Sequence, residues 1–402
     1  MAENPLEQNK QKRKIQHAKK NIKRHRDSRP PRKKRWDESD FDEDVFVDER
    51  IMPLDEGERR RKVAEMAQDV VIDEVADDKL PPEDPDALQG LVIEVSSGLC
   101  RVQVNDQSGG SIGRERHEVL LCTLRGSLSA SDTGFSNLVA VGDRVSVRPD
   151  GDGAGGGVVT AIQPRTNRLA RVDSFHAHLE HVIAANVDQL LIVASWRDPH
   201  FWPMLVDRYL IAAARYDIKP LICINKIDLA VELWDVNNYA EPYRVLGYDV
   251  LLTSVTDKVG IDDLRDALHQ KTSVLAGMSG VGKSSLLSAV EPTFDLRINA
   301  VSEDSGEGQH TTTQAVMLPF GDGDGGYIID TPGVRKFGLH GLTPADVKAF
   351  YPEFAPLSDD CRFANCTHLQ EPDCAVQVAV KRAEVAPWRW ENYRKICKDL
   401  SV

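Results

Sequence analysis

The chain has 402 residues, enough for two or three domains, and its 41% hydrophobic and 28% charged residues are typical of a soluble globular protein. No apolar run approaches the roughly 18 residues of a membrane-spanning helix, and the N-terminus lacks the apolar core of a secretory signal. Seven cysteines do not suggest a disulfide framework, so a cytoplasmic protein without a membrane partner is expected, and no dimerisation pattern argues against a monomer.

The net charge of −13 conceals a basic segment near the N-terminus. Lysine and arginine are concentrated between Lys10 and Arg35, and the sign reverses from Asp37 onward. Residues 1–36 have almost no apolar side chains, so they are expected to be disordered. Residues 1–88 are predicted to form an extension, first basic and then acidic. Its basic part favours contact with RNA phosphates, and a solubilising tail is the alternative.

Short β-type runs separated by turn residues follow this extension. They are Leu91–Val95, Leu99–Val104, Glu118–Cys122, Arg144–Val147 and Val158–Ile162. Several short strands at this spacing indicate a small β-barrel or a sandwich over residues 89–165. The oligonucleotide-binding barrel (OB-fold) is one such five-stranded architecture, and the pattern alone does not choose it.

Strongly apolar runs alternate with helical stretches after about Asn186. They are Gln189–Ala194, Pro220–Ile224, Asp249–Leu252, Ser273–Ala276 and Tyr327–Ile329. Buried parallel strands interleaved with helices indicate a doubly wound α/β sheet, which we assign to residues 166–340. Residues 341–402 hold a cluster of cysteine and histidine followed by a mostly helical tail.

A phosphate-binding loop (P-loop) is the strongest motif in the sequence. The pattern G-x-x-x-x-G-K-S is formed by Gly277, Met278, Ser279, Gly280, Val281, Gly282, Lys283 and Ser284. It follows an apolar strand and opens a helix at Ser285, the context in which backbone N–H groups cradle phosphates. In this pattern Lys283 reaches the β- and γ-phosphates, and the Ser284 hydroxyl binds Mg²⁺. Ser285, which follows, is included among the nucleotide-binding residues.

A second motif, formed by Asn225, Lys226, Ile227 and Asp228, follows the apolar run Leu221–Ile224. A carboxylate at a strand end accepts two hydrogen bonds from guanine, whereas adenine lacks that pair of donors. The motif alone is weak, but beside a P-loop it favours GTP over ATP and argues against a P-loop kinase or ATPase. Thr253 and Ser254, at the end of the next apolar run, are predicted to contact the guanine from its other side.

The turn Asp330–Gly333 follows the last apolar run. Asp330 is predicted to hold Mg²⁺ through water, and the Gly333 amide to contact the γ-phosphate. Thr311 and Thr312 lie in the polar segment before this run, where a threonine hydroxyl would complete the Mg²⁺ shell when GTP is bound.

A metal-binding pattern occurs near the C-terminus. Its spacing is Cys361-x₄-Cys366-x-His368-x₅-Cys374. Three thiolates and one imidazole satisfy tetrahedral Zn²⁺, although the spacing is not that of a finger motif. A loop of free thiols with a surface histidine is the alternative reading.

The order of these motifs is unusual, because Asn225–Asp228 and Thr253–Ser254 precede the P-loop. With a barrel before it and a Cys/His cluster after it, this order resembles the circularly permuted ribosome small subunit-dependent GTPase A family from about residue 90 onward. The resemblance implies an OB-fold, a permuted GTPase domain and a zinc-binding C-terminal domain with the four ligands above. It also implies binding to the small ribosomal subunit and its rRNA in late assembly, with stimulated hydrolysis of GTP to GDP.

The candidates for the catalytic step are defined partly by a departure from the Ras-type pattern. Ras-type enzymes position the attacking water with a glutamine after the Asp-x-x-Gly turn, and this chain has Val334 there. Intrinsic hydrolysis is therefore expected to be slow. The resemblance makes His310 a candidate for positioning the attacking water. Lys283 is the other candidate catalytic residue. A GTP-gated RNA-binding scaffold in which hydrolysis is incidental is the alternative function.

Overall fold

The structure is a computed structural model that describes residues 87–96, 99–105, 117–124, 135–150, 155–172, 179–294, 315–321, 326–330, 339 and 341–400. The chain divides into two units, Met1–Pro82 and Glu83–Val402, and every described residue belongs to the second. The extension predicted over residues 1–88 lies outside the described residues except for its last two. Of the helices that the structure describes, none combines the length and apolar character needed to cross a bilayer.

Five strands close into a barrel at the start of the described chain. They are β1 (Leu88–Ser96), β2 (Leu99–Asn105), β3 (His117–Leu124), β4 (Arg144–Pro149) and β5 (Gly156–Ile162). Their order is β1-β2-β3-β5-β4, and β4 pairs again with β1. Only the β3–β5 pair is parallel. Alternate residues such as Val92, Val102 and Val145 point inward and are fully buried. The five-stranded barrel is thereby confirmed over the sandwich, with the strand pairing of an OB-fold.

A bulge in β1 joins this barrel to the next sheet. Residues 88–91 of β1 pair with β4, the register shifts between Val92 and Glu94, and Glu94 then pairs with Val316 of a later strand. A bulge bends its strand and increases the local twist. This bend lets one strand belong to the barrel and also reach the edge of the α/β sheet.

The α/β region is a six-stranded sheet with helices on both faces. Its strands are β8 (Gln189–Ser195), β9 (Lys219–Asn225), β10 (Asp249–Leu252), β11 (Lys271–Ala276), β12 (Val316–Pro319) and β13 (Gly326–Asp330). Its helices are α1 (Pro203–Arg215), α2 (Leu233–Val245), α3 (Ile261–Leu268) and α4 (Lys283–Val290). The strand order is β10-β9-β8-β11-β13-β12, and only β12 is antiparallel to its neighbour within this sheet. The predicted doubly wound sheet is confirmed.

The central strands are apolar on both faces because both faces are covered. Along β8, Leu190 and Ile192 contribute to one hydrophobic core, while Leu191 and Val193 contribute to the core on the opposite face. All four are at most 2% exposed. Continuous apolar runs, rather than alternation, are what a doubly covered parallel strand requires.

Three strands were not predicted from the sequence. They are β12 and the hairpin of β6 (Arg168–Val172) and β7 (Glu180–Ala185). The hairpin strand β6 carries arginines, and β12 has only four residues ending in proline, so neither gives a clear apolar signal. The connection into the hairpin is fixed by Arg165, whose Nε and Nη2 donate to the buried Asp143 carboxylate at 2.7 and 2.8 Å.

The C-terminal region is helical, as predicted. Its helices are α5 (Pro344–Val347), α6 (Ala355–Ser358), α7 (Ala375–Lys381) and α8 (Pro387–Leu400). They enclose a separate core that includes Tyr351, Phe354, Val376, Tyr393 and Ile396. Helix α8 packs against α1 of the α/β region, so the two regions share an interface.

Candidate nucleotide site and metal centre

Most of the described motif residues meet at the carboxyl edge of the α/β sheet. Strand β11 lies between β8 and β13 and leads into the P-loop at Gly277. Asn225 ends β9, Thr253 follows β10, and Asp330 ends β13 opposite Leu275 of β11. Ligands of doubly wound folds bind at this edge, where loops from neighbouring strands converge.

The P-loop backbone has conformations that only glycine adopts without strain. Gly277 has a φ of +147°, and a Cβ atom there would lie 2.3 Å from the Val193 carbonyl oxygen. Gly282 has a φ of +94°, and a Cβ atom would lie 2.5 Å from the Asn225 amide nitrogen. These close approaches bring the loop against β8 and β9. Helix α4 begins directly after the loop, so its first N–H groups and the positive end of its dipole face the loop.

Lys283 folds back over the P-loop. Its ammonium donates hydrogen bonds to the carbonyl oxygens of Gly277 and Met278, both at 2.9 Å. The next two residues, Ser284 and Ser285, are exposed in the first turn of α4. The arrangement places one positive charge and two hydroxyl groups where a phosphate chain would meet the helix.

The base-recognition residues are held by hydrogen bonds to one another and to the P-loop. The Thr253 hydroxyl donates to Asn225 Oδ1 at 3.2 Å, and Asn225 Nδ2 donates to the Val281 carbonyl at 3.0 Å. Ser254 Oγ donates to Asp228 Oδ1 at 2.6 Å. Asn225, Thr253 and Ser254 are buried, whereas Asp228 is exposed. These hydrogen bonds therefore fix the P-loop to the turn and leave the Asp228 carboxylate at the surface.

The structure gives Lys226 a bridging position that the sequence did not reveal. Lys226 has a left-handed backbone with φ of 61°, and its ammonium donates to the Gly280 carbonyl at 2.8 Å and to the Asp198 carbonyl. The segment Trp196–Trp202 thereby lies beside the P-loop, and Pro199 is 3.6 Å from where a Gly280 Cβ would stand. The sequence had no motif in this segment, so its proximity was found only from the fold.

Of the remaining predicted site residues, the structure describes only Asp330. Asp330 is exposed at the end of β13, on the edge that carries the P-loop. His310, Thr311, Thr312 and Gly333 lie outside the described residues, as does Val334. Their predicted roles stay predictions.

The four predicted metal ligands converge at the C-terminal region. One ligand atom from each of Cys361, Cys366, His368 and Cys374 lies within 4.8 Å of the others. His368 Nδ1 is 3.6 Å from Cys361 Sγ and 3.5 Å from Cys374 Sγ, and these two sulfurs are 4.0 Å apart. A tetrahedral ion with bonds of about 2.3 Å to sulfur and about 2.0 Å to nitrogen separates its ligands by about 3.5–3.8 Å. The set therefore fits one tetrahedral metal ion, and His368 is buried at 1% exposure rather than lying at the surface as the alternative had it.

The histidine is oriented by a hydroxyl outside the ligand set. Ser358 Oγ donates to the Phe354 carbonyl at 2.7 Å, so it accepts from His368 Nε2, which lies 3.2 Å away. That hydrogen bond puts the proton on Nε2 and turns the Nδ1 lone pair toward the thiols. Burial raises the pKa of the Cys366 thiol to about 12. A bound cation would offset this penalty, because it favours the thiolate.

Glu371 organises the loop that carries these ligands. Its carboxylate accepts from the Thr367 amide at 2.7 Å, the Thr367 hydroxyl at 2.6 Å, and the amides of Leu369 and Gln370 at 3.0 and 3.1 Å. Burial would raise the pKa of this carboxyl, but the hydrogen bonds hold it at about 2. The loop between His368 and Cys374 is thus folded around a carboxylate rather than around apolar side chains.

A buried charge cluster connects the metal-binding region to the α/β region. Asp207 of α1 accepts from Arg389 Nη1 at 2.5 Å, from Asn392 at 2.7 Å and from Tyr243 at 2.8 Å. Arg389 also pairs with Glu353 at 2.7 Å and is 2% exposed. Burial raises the pKa of Asp207, and the Arg389 guanidinium opposes that rise. Sequence patterns gave no sign of this cluster, because Asp207 and Arg389 are 182 residues apart along the chain.

Comparisons with known proteins agree with this geometry. The RsgA GTPase family matches residues 162–340. A relative from Gemmatimonas aurantiaca, named small ribosomal subunit biogenesis GTPase RsgA, is 39% identical over 77% of this chain and 97% of its own length. The crystal structure of YjeQ from Thermotoga maritima has a TM-score of 0.61 at 33% identity, covering 78% of this chain and 98% of that one. YloQ, described as a circularly permuted GTPase, has a TM-score of 0.58 at 31% identity, covering 80% and 98%.

The fold and the site together define a P-loop GTPase whose base-recognition motifs precede its P-loop in the chain. The chain belongs to the RsgA GTPase family, and the resemblance noted in its sequence is confirmed.

Proposed function

We propose that this GTPase acts in the cytoplasm on the small ribosomal subunit during its late assembly, binding rRNA and hydrolysing GTP at a rate that the subunit raises. The observation that carries the GTPase part of this proposal is the set of hydrogen bonds that joins Asn225, Thr253 and the P-loop carbonyl of Val281. Relatives that cover most of the chain are named small ribosomal subunit biogenesis GTPases, which supports the choice of partner.

In this proposal the guanine base binds at Asp228, with Ser254 holding one carboxylate oxygen and Lys226 supporting the turn. The N–H groups of residues 277–285 bind the phosphates. Lys283 would exchange its two carbonyl contacts for the β- and γ-phosphates, neutralising charge that develops during transfer.

Mg²⁺, held by Ser284, Asp330 and a hydroxyl of Thr311 or Thr312, would supply further charge stabilisation. The Gly333 amide would contact the γ-phosphate. Because Val334 cannot orient water, His310 or a group of the partner would do so. We assign Zn²⁺ to the site of Cys361, Cys366, His368 and Cys374, in a structural role, since all four positions are filled by protein ligands.

Steady-state GTP hydrolysis tests this function directly. The purified protein is assayed alone, with small subunits and with large subunits. We expect stimulation of at least about tenfold by small subunits only, because a partner that completes a site lacking its water-positioning group accelerates hydrolysis strongly. In the same assay His310→Ala should lose stimulation and keep GTP affinity, with the exposed His269→Ala, just before β11 at the end opposite the P-loop, as the control.

One result would contradict the proposal, and another would change only its mechanism. Equal turnover with and without either subunit would favour the scaffold function instead. Full stimulation of the His310→Ala variant would remove that residue from the mechanism and leave the GTPase assignment intact.

A further inference from the structure

An exposed apolar surface borders the guanine-recognition turn. We define the 229–235 surface as the residues Leu229, Ala230, Val231, Glu232, Leu233, Trp234 and Asp235. Within it Val231 is 87% exposed, Trp234 70%, Leu233 54% and Leu229 41%. Single exposed apolar residues are ordinary, but four within six consecutive positions, including a tryptophan, are typical of an interaction site.

This surface is held in place by the fold. The amide of Leu229 donates to the Lys226 carbonyl at 3.1 Å, and the amide of Ala230 donates to the Ile227 carbonyl at 3.0 Å. Helix α2 then begins at Leu233. Six residues span at most about 20 Å, so the four apolar side chains lie within reach of one peptide segment. A partner would therefore meet a rigid surface and lose little affinity to ordering it.

The charged residues within this stretch of the chain have one sign. From Ile227 to Tyr243 the chain contains no lysine, arginine or histidine, and it contains four acidic residues: Asp228, Glu232, Asp235 and Glu241. The nearest cations along the chain flank this acidic stretch at its two ends. Lys226 donates to the Gly280 carbonyl, and Arg244 lies 3.6 Å from Glu241. RNA phosphate would be repelled here, whereas a basic polypeptide would be attracted.

We propose that the 229–235 surface docks a lysine- and arginine-rich protein segment with an apolar anchor, carried by a protein of the small ribosomal subunit. The inference rests on the proposed function, because that function supplies the subunit. Trp234 and Leu233 take the apolar anchor, and Glu232 and Asp235 face its basic residues. Since the surface begins one residue after Asp228, the docked segment lies next to the turn that recognises the base.

Reversing one charge on the 229–235 surface tests whether it docks a basic segment. Affinity for purified small subunits is measured with GTP present for the unsubstituted protein, for Glu232→Lys and for the matched control Asp266→Lys. Asp266 is exposed on α3, and Glu232 makes no capping hydrogen bond at the start of α2, so both variants should fold. We expect Glu232→Lys to weaken binding about threefold to tenfold relative to Asp266→Lys, as an exposed attraction becomes a repulsion.

Each other outcome overturns the proposal in an identifiable way. Tighter binding by Glu232→Lys would mean that the surface faces RNA, and equal binding by the two variants would mean that it faces solvent. A self-associating protein that Glu232→Lys converts to monomers would make the surface an interface between two copies.

A second comparison tests the apolar anchor. Trp234→Ala should weaken binding to small subunits about tenfold, because a tryptophan that becomes buried when a complex forms is a common hot spot. Val245→Ala, at the other end of α2 and 76% exposed in the free protein, should bind normally. Equal affinities for the two variants would refute the anchor. Failure of the unsubstituted protein to bind small subunits would refute the proposed function itself, which distinguishes the two failures.

Discussion

The nucleotide site and the candidate metal centre of this chain are built in opposite ways. The nucleotide site draws on the ends of four strands, from Asn225 to Asp330, and many of its binding groups are backbone N–H groups and glycines. The metal centre uses four side chains within the 14 residues from Cys361 to Cys374. One site is positioned by pairing across the sheet, and the other by a short loop.

This difference predicts how strongly the structure of each site depends on its bound ligand. The sheet edge persists without a ligand, because its strands are held by apolar burial on both faces. The loop of the four cysteine and histidine residues is short and folded around the Glu371 carboxylate, and burial opposes the ionisation of its thiols. The loop should therefore depend on its ion much more than the P-loop depends on GTP.

The largest effect is expected from removing a metal ligand. Cys374→Ser should reduce bound zinc from one ion per chain to none. It should lower the thermal midpoint by roughly 10 °C or more, since several kcal/mol are lost and each shifts the midpoint by roughly 2–4 °C in a domain of this size. Metal content by mass spectrometry and thermal unfolding measure both quantities.

Cys223→Ser, a buried cysteine outside the cluster, is the control for this variant. It should keep its zinc. If Cys374→Ser loses GTP affinity as severely as it loses zinc, the nucleotide site depends on the metal-binding loop. The contrast drawn between the two sites would then be wrong.

An intermediate effect, on the free energy of unfolding, is expected at the buried charge cluster that joins the α/β region to the C-terminal region. Arg389→Ala leaves Asp207 and Glu353 buried without their cation, so unfolding should become easier by about 3–5 kcal/mol. Urea denaturation measures this, with the exposed Arg382→Ala as control. A loss below about 1 kcal/mol would show that water reaches the cluster and that the regions are joined by apolar contacts alone.

The smallest effect is expected inside the nucleotide site. Thr253→Val removes the hydroxyl that orients Asn225 and keeps the side-chain shape, so GTP affinity should fall about fivefold, equivalent to about 1 kcal/mol. Thr160→Val in the barrel removes a comparable hydrogen bond to a carbonyl and is the control. If both variants bind GTP equally, the Thr253 hydroxyl has no part in positioning the base-recognition turn.

The sequence predicted the parts of the molecule that depend on local pattern. The P-loop required Gly277 and Gly282 for close backbone approach, and those requirements appear directly as residue types. The apolar runs identified five of the six α/β strands, because doubly buried strands are apolar at every position. The Cys/His cluster was found from spacing, since all four residues lie in one short loop. The domain limits at residues 89, 166 and 341 stay predictions.

The parts that the sequence did not reveal depend on contacts between distant segments. Ser358 orients His368, but a serine before a cysteine cluster carries no such signal. Asp207 and Arg389 look like ordinary surface charges on two amphipathic helices until the helices are brought together. Lys226 was predicted as part of a motif, whereas its contacts with Asp198 and Gly280 follow from the order of the strands.

The bulge in β1 has a consequence for dividing this protein into fragments. Glu94 pairs with Val316, so the barrel covers part of the outer edge of β12, which is otherwise the last strand of the α/β sheet. A fragment that begins after the barrel would present the whole of that edge to water, as a template for strand addition by another molecule. The soluble unit for biochemistry is therefore the barrel and the α/β region expressed together, even though nucleotide recognition resides in only one of them.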